Sequence, residues 1–413
     1  MDPVTDPATG TSAPTEPRRG RRGAAGRLIR AASAVLATLL AFLTGAIVLG
    51  AYIPAIPKAG VIGPVLAGQY PFLVALLGLV GVLLSLPAAR GGPVRWGRTV
   101  ALVTATSTVA ALTIAGVQVR AATRAGADIS WSEVFTELSY PDDEPDDRQT
   151  YAAPGGRPLA VDAYLPDAYL PDAAADRTAP AVVLAHAGGF HTFDRSDLRG
   201  TARWLAEHGV AAFAVDYRLA TPTAPTWDQA PQDLVCALGW LRGNADRYHV
   251  DPGRIAIGGM SAGGTLALDA AYRLANGTIT SSCGTTPAPP AAAVGFYPGP
   301  DVTEMWQRDV AGTREAATLF TGGSPEQYPD RYREVSPSAA VRPGLMRTLL
   351  VVGDRDRSTP PAGVRRFADS LRAERVDVRL EVLPFADHAF DDAYGSITSA
   401  TGRRILLDFL TAS

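Results

Sequence analysis

The sequence predicts an α/β domain, a mostly parallel sheet covered by helices on both faces, preceded by three transmembrane helices. Three observations carry this. Almost all long uncharged apolar runs fall before residue 120; beyond Tyr151 short β-rich runs alternate with helical stretches; and one strand-to-helix junction is a Gly-x-Ser-x-Gly turn. At 413 residues, 47% of them hydrophobic, the chain exceeds one ordinary domain, so its halves are read separately.

Residues 1–26 are rich in Pro, Gly, Ala, Thr and Arg and carry few large apolar side chains, so they predict a disordered basic tail. Residues 27–119 predict a membrane module. From Ala31 to Ile53 no charge interrupts an apolar run, enough to cross a hydrocarbon core of about 30 Å. A second uncharged stretch lies between Lys58 and Arg90, densest from Pro71 to Pro87, and a third runs from Thr99 to Val119. The third is diluted by Thr99, Thr104, Thr106, Ser107, Thr108 and Thr113, although such hydroxyls can bond back to helix carbonyls. A cleaved signal peptide would be followed by soluble sequence, whereas here further apolar runs follow. Arg18, Arg19, Arg21, Arg22, Arg27 and Arg30 precede the first span, Lys58 lies in the first loop, and Arg90, Arg95 and Arg98 lie in the second. Cationic flanks stay cytoplasmic, so a multi-pass chain in the cell membrane is expected, with its C-terminal domain outside. Residues 120–150, with the acidic run Pro141 to Asp147, read as a solvated juxtamembrane linker.

Residues 151–413 supply the α/β pattern. Candidate strands are Pro158 to Tyr164, Ala181 to His186, Val210 to Asp216, Arg254 to Gly258, Ala292 to Tyr297, Thr348 to Gly353 and Val378 to Leu383. Candidate helices are Arg195 to His208, Gln232 to Tyr248, Ala262 to Ala275 and Pro361 to Glu374. The segment Ala163 to Asp167 is repeated at once as Ala168 to Asp172, which is too short for an architectural repeat and reads as a lengthened loop.

The net charge of -3 gives no reason to expect nucleic acid, and the N-terminal arginines read as a topology signal. The two cysteines, Cys236 and Cys283, have no metal-site spacing, so a metal centre is not expected; a disulfide and two free thiols both stay open.

The chemistry concentrates at Gly259-Met260-Ser261-Ala262-Gly263, between a candidate strand and a candidate helix. On such a turn the Ser261 oxygen is exposed and the flanking glycines relieve crowding. A serine needs a base, and of the five histidines only His388 follows it in the chain order that this turn implies. The orienting acid should leave another strand end, where Asp354 and Asp356 compete; Asp356 lies deeper in the loop that must reach His388. Oxyanion donors are expected from the backbone of Ala262 and of Gly188 and Gly189, in the loop His186 to Phe190.

These residues resemble the hormone-sensitive-lipase-like branch of the α/β-hydrolase esterases, over roughly residues 150–413. The resemblance rests on His186 to Gly189, Asp216-Tyr217-Arg218-Leu219-Ala220, Asp251-Pro252-Gly253-Arg254-Ile255, Ser261-Ala262-Gly263-Gly264, Asp356 and His388. It departs at Ala187, where the branch has glycine, and at Met260, where an acidic residue is common. The resemblance implies an α/β-hydrolase fold and a cofactor-free carboxylic ester hydrolase, with the second aspartate of Gly-Asp-x-Asp in the triad. It also implies an N-terminal helical cap, for which there is no clear counterpart here. The acyl pocket is then expected to be lined partly by residues 302–342 or to face the bilayer. The substrate is expected to be a small-molecule or lipid ester. Two alternatives compete: a peptidase of the same superfamily, and a membrane-tethered binding module that keeps the fold without the chemistry.

Overall fold

A computed structural model describes residues 19–91, 94–167 and 178–412. Most of the expected tail, residues 1–18, and the repeated segment Ala168 to Asp172 lie outside the described residues. The chain divides into two compact units, one of Met1–Gly45 with Leu76–Thr108, the other of Ala46–Ala75 with Val109–Ser413.

Four helices precede the sheet: α1 (Arg19–Tyr52), α2 (Ala59–Gln69), α3 (Pro71–Gly91) and α4 (Val94–Ala125). Helix α1 is already formed inside the stretch expected as tail. Within the described residues, Gly26–Tyr52 and Arg95–Ala125 are long and apolar enough to cross a membrane. The middle stretch departs from expectation. It breaks at Tyr70 into α2 and α3 with a bend of 103°, so the count is two spans, or up to three if the bent pair is one. Pro71 follows the break, and the residue before a proline is driven out of helical conformation; Tyr70 takes φ -125 and ψ 48. The threonines that dilute α4 bond back as expected, Thr104 to Val100 O and Thr108 to Thr104 O, both at 2.9 Å. In the first unit Ala37, Ala41 and Val100 pack with Leu84. Small side chains there let helices approach closely without polar cost.

The second unit holds an eight-stranded sheet. Its strands are β1 (Asp147–Ala152), β2 (Leu159–Tyr164), β3 (Ala179–Ala185), β4 (Ala211–Val215), β5 (Val250–Met260), β6 (Ala292–Phe296), β7 (Arg347–Gly353) and β8 (Val378–Leu383). The order is β1-β2-β4-β3-β5-β6-β7-β8, with β1/β2 and β2/β4 antiparallel and the rest parallel. Every residue of β3, β4 and β6 is buried, as a sheet covered on both faces requires. Alternation along β3 divides the core. Ala181, Val183 and Ala185 join the cluster under α7 (Ala230–Gly243), α8 (Ala262–Ala275) and α12 (Pro361–Ala373). Val182 and Leu184 face α6 (Arg199–Glu207) and α13 (Ile397–Thr411) on the other side.

Strand β1 starts inside the segment expected as linker, and the acidic run there is not a free spacer. Arg199 pairs with Asp142, Arg203 bonds Asp146 at 3.1 Å, and the short helix α5 (Glu133–Thr136) precedes it. A strand reading Asp-Arg-Gln-Thr-Tyr-Ala was missed because an edge strand keeps one polar face, which hides the apolar period. Cys236, in α7, is disulfide-bonded to Cys283, with Cα atoms 5.5 Å apart.

Candidate active site

Strand β5 ends at Met260 and α8 begins at Ala262, leaving Ser261 alone on the turn with φ 53 and ψ -116. That left-handed backbone is costly for a side-chain-bearing residue, about 1–3 kcal/mol, and persists only where the surroundings over-determine it. Its amide donates to Phe296 O at 2.9 Å, which ties the turn to the next strand. Gly263 permits the close approach this needs, because a Cβ there would lie 2.2 Å from Ala185 O. Met260, one of the two departures from the esterase branch, is buried in the core with Phe296 and Val294, where an apolar side chain suits.

Ser261 Oγ lies 2.8 Å from His388 Nε2, and His388 Nδ1 lies 2.9 Å from Asp356 Oδ2. Asp356 is almost wholly buried, and its charge is held by further donors: Thr359 N to Oδ1 and Thr359 Oγ1 to Oδ2, both at 2.8 Å. The competing Asp354 is elsewhere. Its Oδ1 accepts from Phe385 N at 2.7 Å, so it caps the loop. Burial works to lower the basicity of His388, but the charge and hydrogen bond of Asp356, together with nearby Asp387 and Asp392, outweigh it and hold the imidazole above its ordinary value. Asp387 and Asp392 are each pushed up to about 6, chiefly by burial.

Gly188 and Gly189 take φ 113 and 57, and both line the same cavity as Ser261, Ala262 and His388. At Gly188 a Cβ would lie 2.0 Å from Thr192 O, so only glycine fits. The loop is held by Phe190, stacked on Phe320 at 4.1 Å, and by His186. His186 stacks on Tyr217 at 4.3 Å, bonds Ala187 O through Nδ1, and is kept less basic than usual by burial. It is a loop organiser rather than a second base. Tyr217 Oη donates to His186 O at 3.0 Å and Ala220 N to Phe190 O at 2.9 Å, so the Asp216 to Ala220 segment braces this loop, while Arg218 bonds the buried Asp233 at 2.6 Å.

The cavity measures about 360 Å³. Helices α9 (Val302–Arg308) and α10 (Thr313–Thr321) supply Met305, Thr313 and Ala316 to its lining, so residues 302–342 contribute to it as expected. Tyr140 and Asp392 line it too and are hydrogen-bonded to each other. Neither was singled out from sequence, nor was Thr359; Thr359 carried one signal, its position three residues beyond Asp356 in a loop that must hold a buried carboxylate. Among the described residues no cluster suited to a metal occurs.

Residues 166–371 match the BD-FAE family model. Esterase LipC of Mycobacterium tuberculosis is 30% identical over 248 residues, 56% of this chain and 58% of that protein. The probable carboxylic ester hydrolase LipM of the same organism is 28% identical over 230 residues, 52% and 50% of the two chains. The chain thus spans about half the length of these curated relatives. Among solved structures, a thermophilic esterase of Thermogutta terrifontis aligns with TM-score 0.52 and 23% identity, over 65% of this chain and 90% of that one. Esterase LipW of Mycobacterium marinum gives 0.51 and 24%, over 72% and 86%. These structural likenesses concern the fold.

Proposed function

We propose that the chain, which resembles these α/β-hydrolase esterases, is a membrane-anchored serine hydrolase of carboxylic esters. The observation that carries this reading is the hydrogen-bonded chain Ser261, His388, Asp356 opening onto a cavity at the start of α8. His388 Nε2 takes the Ser261 proton as Oγ attacks the ester carbonyl. The resulting oxyanion is met by the amide of Ala262, where the α8 dipole adds positive potential, and by the amides of Gly188 and Gly189. Asp356 keeps the other ring proton on Nδ1 and stabilises the imidazolium. His388 then protonates the departing alkoxide, and a water deprotonated by His388 releases the acid and restores Ser261.

A cavity of about 360 Å³ is near the small end of the usual ligand-site range, which favours compact acyl groups. The arginine imbalance and the disulfide both favour a catalytic domain outside the cytoplasm, since disulfides persist in oxidising compartments. The decisive experiment labels the detergent-solubilised chain with a fluorophosphonate and assays aryl esters beside a peptide panel. Wild type should label and hydrolyse esters. Ser261→Ala should melt normally and lose turnover by several orders of magnitude. Retention of a tenth of the wild-type rate would sink the assignment, and cleavage confined to peptides would favour the peptidase.

A further inference from the structure

The loop that carries His388 is bent against its own preference: Phe385 and Ala389, on either side of it, both take φ 53 without being glycine. Such conformations last only where neighbours hold them. Here the neighbours come from the membrane module, within the same compact unit. Gln69, the last residue of α2, is only 6% exposed and spans the loop with both ends of its amide. Its Nε2 donates to Ala389 O at 3.1 Å, and its Oε1 accepts from Ala393 N at 3.1 Å. Gly68 lies so close to the loop that a Cβ would meet Phe385 O at 2.3 Å. The α2 end is itself fixed, since the buried Gln118 of α4 donates to Gly68 O at 2.8 Å. Tyr52, at the end of α1, sets its ring edgewise on Phe385 with centroids 5.1 Å apart.

We infer that Gln69 is a positioning residue for His388, so that the end of α2 takes part in setting turnover and does more than tether the domain. The inference rests on the reading of the site above. Gln69 is not among the residues lining the cavity, and it reaches the chemistry through the backbone of the histidine loop, at Ala389 beside His388 and at Ala393 beside Asp392. Losing that hold lets His388 drift from Ser261 Oγ, and a displacement of about 1 Å in a reacting group costs on the order of 100-fold in rate.

The test uses the full chain in detergent micelles, with the number of working sites titrated by the fluorophosphonate. Gln69→Leu keeps the bulk and removes both hydrogen bonds. Gln69→Glu keeps the shape and the acceptor for Ala393 N, but replaces the donor to Ala389 O by a carboxylate. In both, kcat per titrated site for an aryl ester should fall by about ten- to a hundredfold, with KM within about twofold and melting cooperative. Should the leucine variant not fold, the glutamate variant decides alone. Wild-type kcat per titrated site would overturn the inference, and so would a loss confined to the number of titratable sites, which is what a merely structural role produces. A wild-type chain inert to both ester and fluorophosphonate would instead refute the reading of the site.

Discussion

Replacing Asp356 by asparagine exchanges one oxygen for an NH2 group and leaves the shape intact. Thr359 N donates to Oδ1 at 2.8 Å, so the carbonyl oxygen of the asparagine must take that position. The NH2 then occupies the place of Oδ2, 2.9 Å from His388 Nδ1, while the Thr359 hydroxyl can rotate to accept from it. An NH2 facing Nδ1 forces the single imidazole proton onto Nε2, which then donates to Ser261 Oγ and cannot accept its proton. The expected loss is about 10⁴-fold in kcat, about 5 kcal/mol of barrier, with a normal melting curve. Asp354→Asn is the matched control. An asparagine carbonyl can still accept from Phe385 N, and burial already disfavours the Asp354 charge. Its 3.7 Å pairing with Arg355 is partly exposed and worth about 0–1 kcal/mol. Turnover should therefore stay within a few-fold of wild type. Steady-state aryl ester hydrolysis of both purified variants, beside their melting temperatures, decides the matter. A dead, well-folded Asp354→Asn, or an Asp356→Asn with more than a tenth of wild-type kcat, refutes the assignment.

The raised basicity of His388 predicts that kcat/KM falls on the acid side with a midpoint above 6.5, and that Asp356→Asn moves that midpoint down; a wild-type limb below 6.5 would contradict the Asp356 pairing. The stability linkage has the opposite sign: a histidine favoured in its charged form contributes fully below about 6.5 and loses that contribution as pH rises through its folded value. Breaking the Cys236–Cys283 link with the double alanine variant should cost about 2–4 kcal/mol, given a sequence separation of 47, with turnover at low temperature preserved because neither residue lines the cavity. A reporter fused at the C-terminus should be active only outside the cytoplasm, and a tag protected from protease in intact spheroplasts would refute that orientation.

The parallel part of the fold was legible because its strands are buried on both faces and read as unbroken apolar runs, as Val182 to Ala185 and Leu349 to Val352 do. The pairing of Ser261 with His388 was legible because only one histidine follows the Gly-x-Ser-x-Gly turn, and the structure brings the two within 2.8 Å. The choice of Asp356 over Asp354 came from loop depth and family resemblance, and the structure brings Asp356 and not Asp354 to His388. Three things were hidden. Edge strand β1 shows no period when one face is half exposed. The break at Tyr70 lies inside an apolar stretch whose composition is equally suited to one span or two helices. Tyr140 and Gln69 meet their partners across long sequence separations and no local pattern marks them, whereas Thr359 carried only its position three residues beyond Asp356.

Five of the residues with strained backbone lie around the site where the chemistry is proposed to occur. Phe190, Ser261, Tyr297, Phe385 and Ala389 all hold positive φ without being glycine; Phe190 follows Gly188 and Gly189, Ser261 is the serine turn, Phe385 and Ala389 flank His388, and Tyr297 sets its ring edgewise on His388 with centroids 4.7 Å apart. At about 1–3 kcal/mol apiece such conformations would be a heavy load on a protein of ordinary stability if nothing offset them. Each has a separate support. Phe190 is fully buried against Phe320, and Tyr297 is buried with its hydroxyl donating to Asp391 at 2.5 Å. Ser261 is bonded to Phe296 O, Phe385 to Asp354, and Ala389 to Gln69. The supports come from separate segments of the chain, the nearest 31 and the farthest 320 residues from the residue they hold, so no single stretch holds the site alone. It follows that relieving strain and removing support act in opposite directions at neighbouring positions. Ser261→Gly should stabilise the fold while abolishing chemistry, whereas Gln69→Leu should leave the chemistry's groups intact while loosening the frame that aligns them.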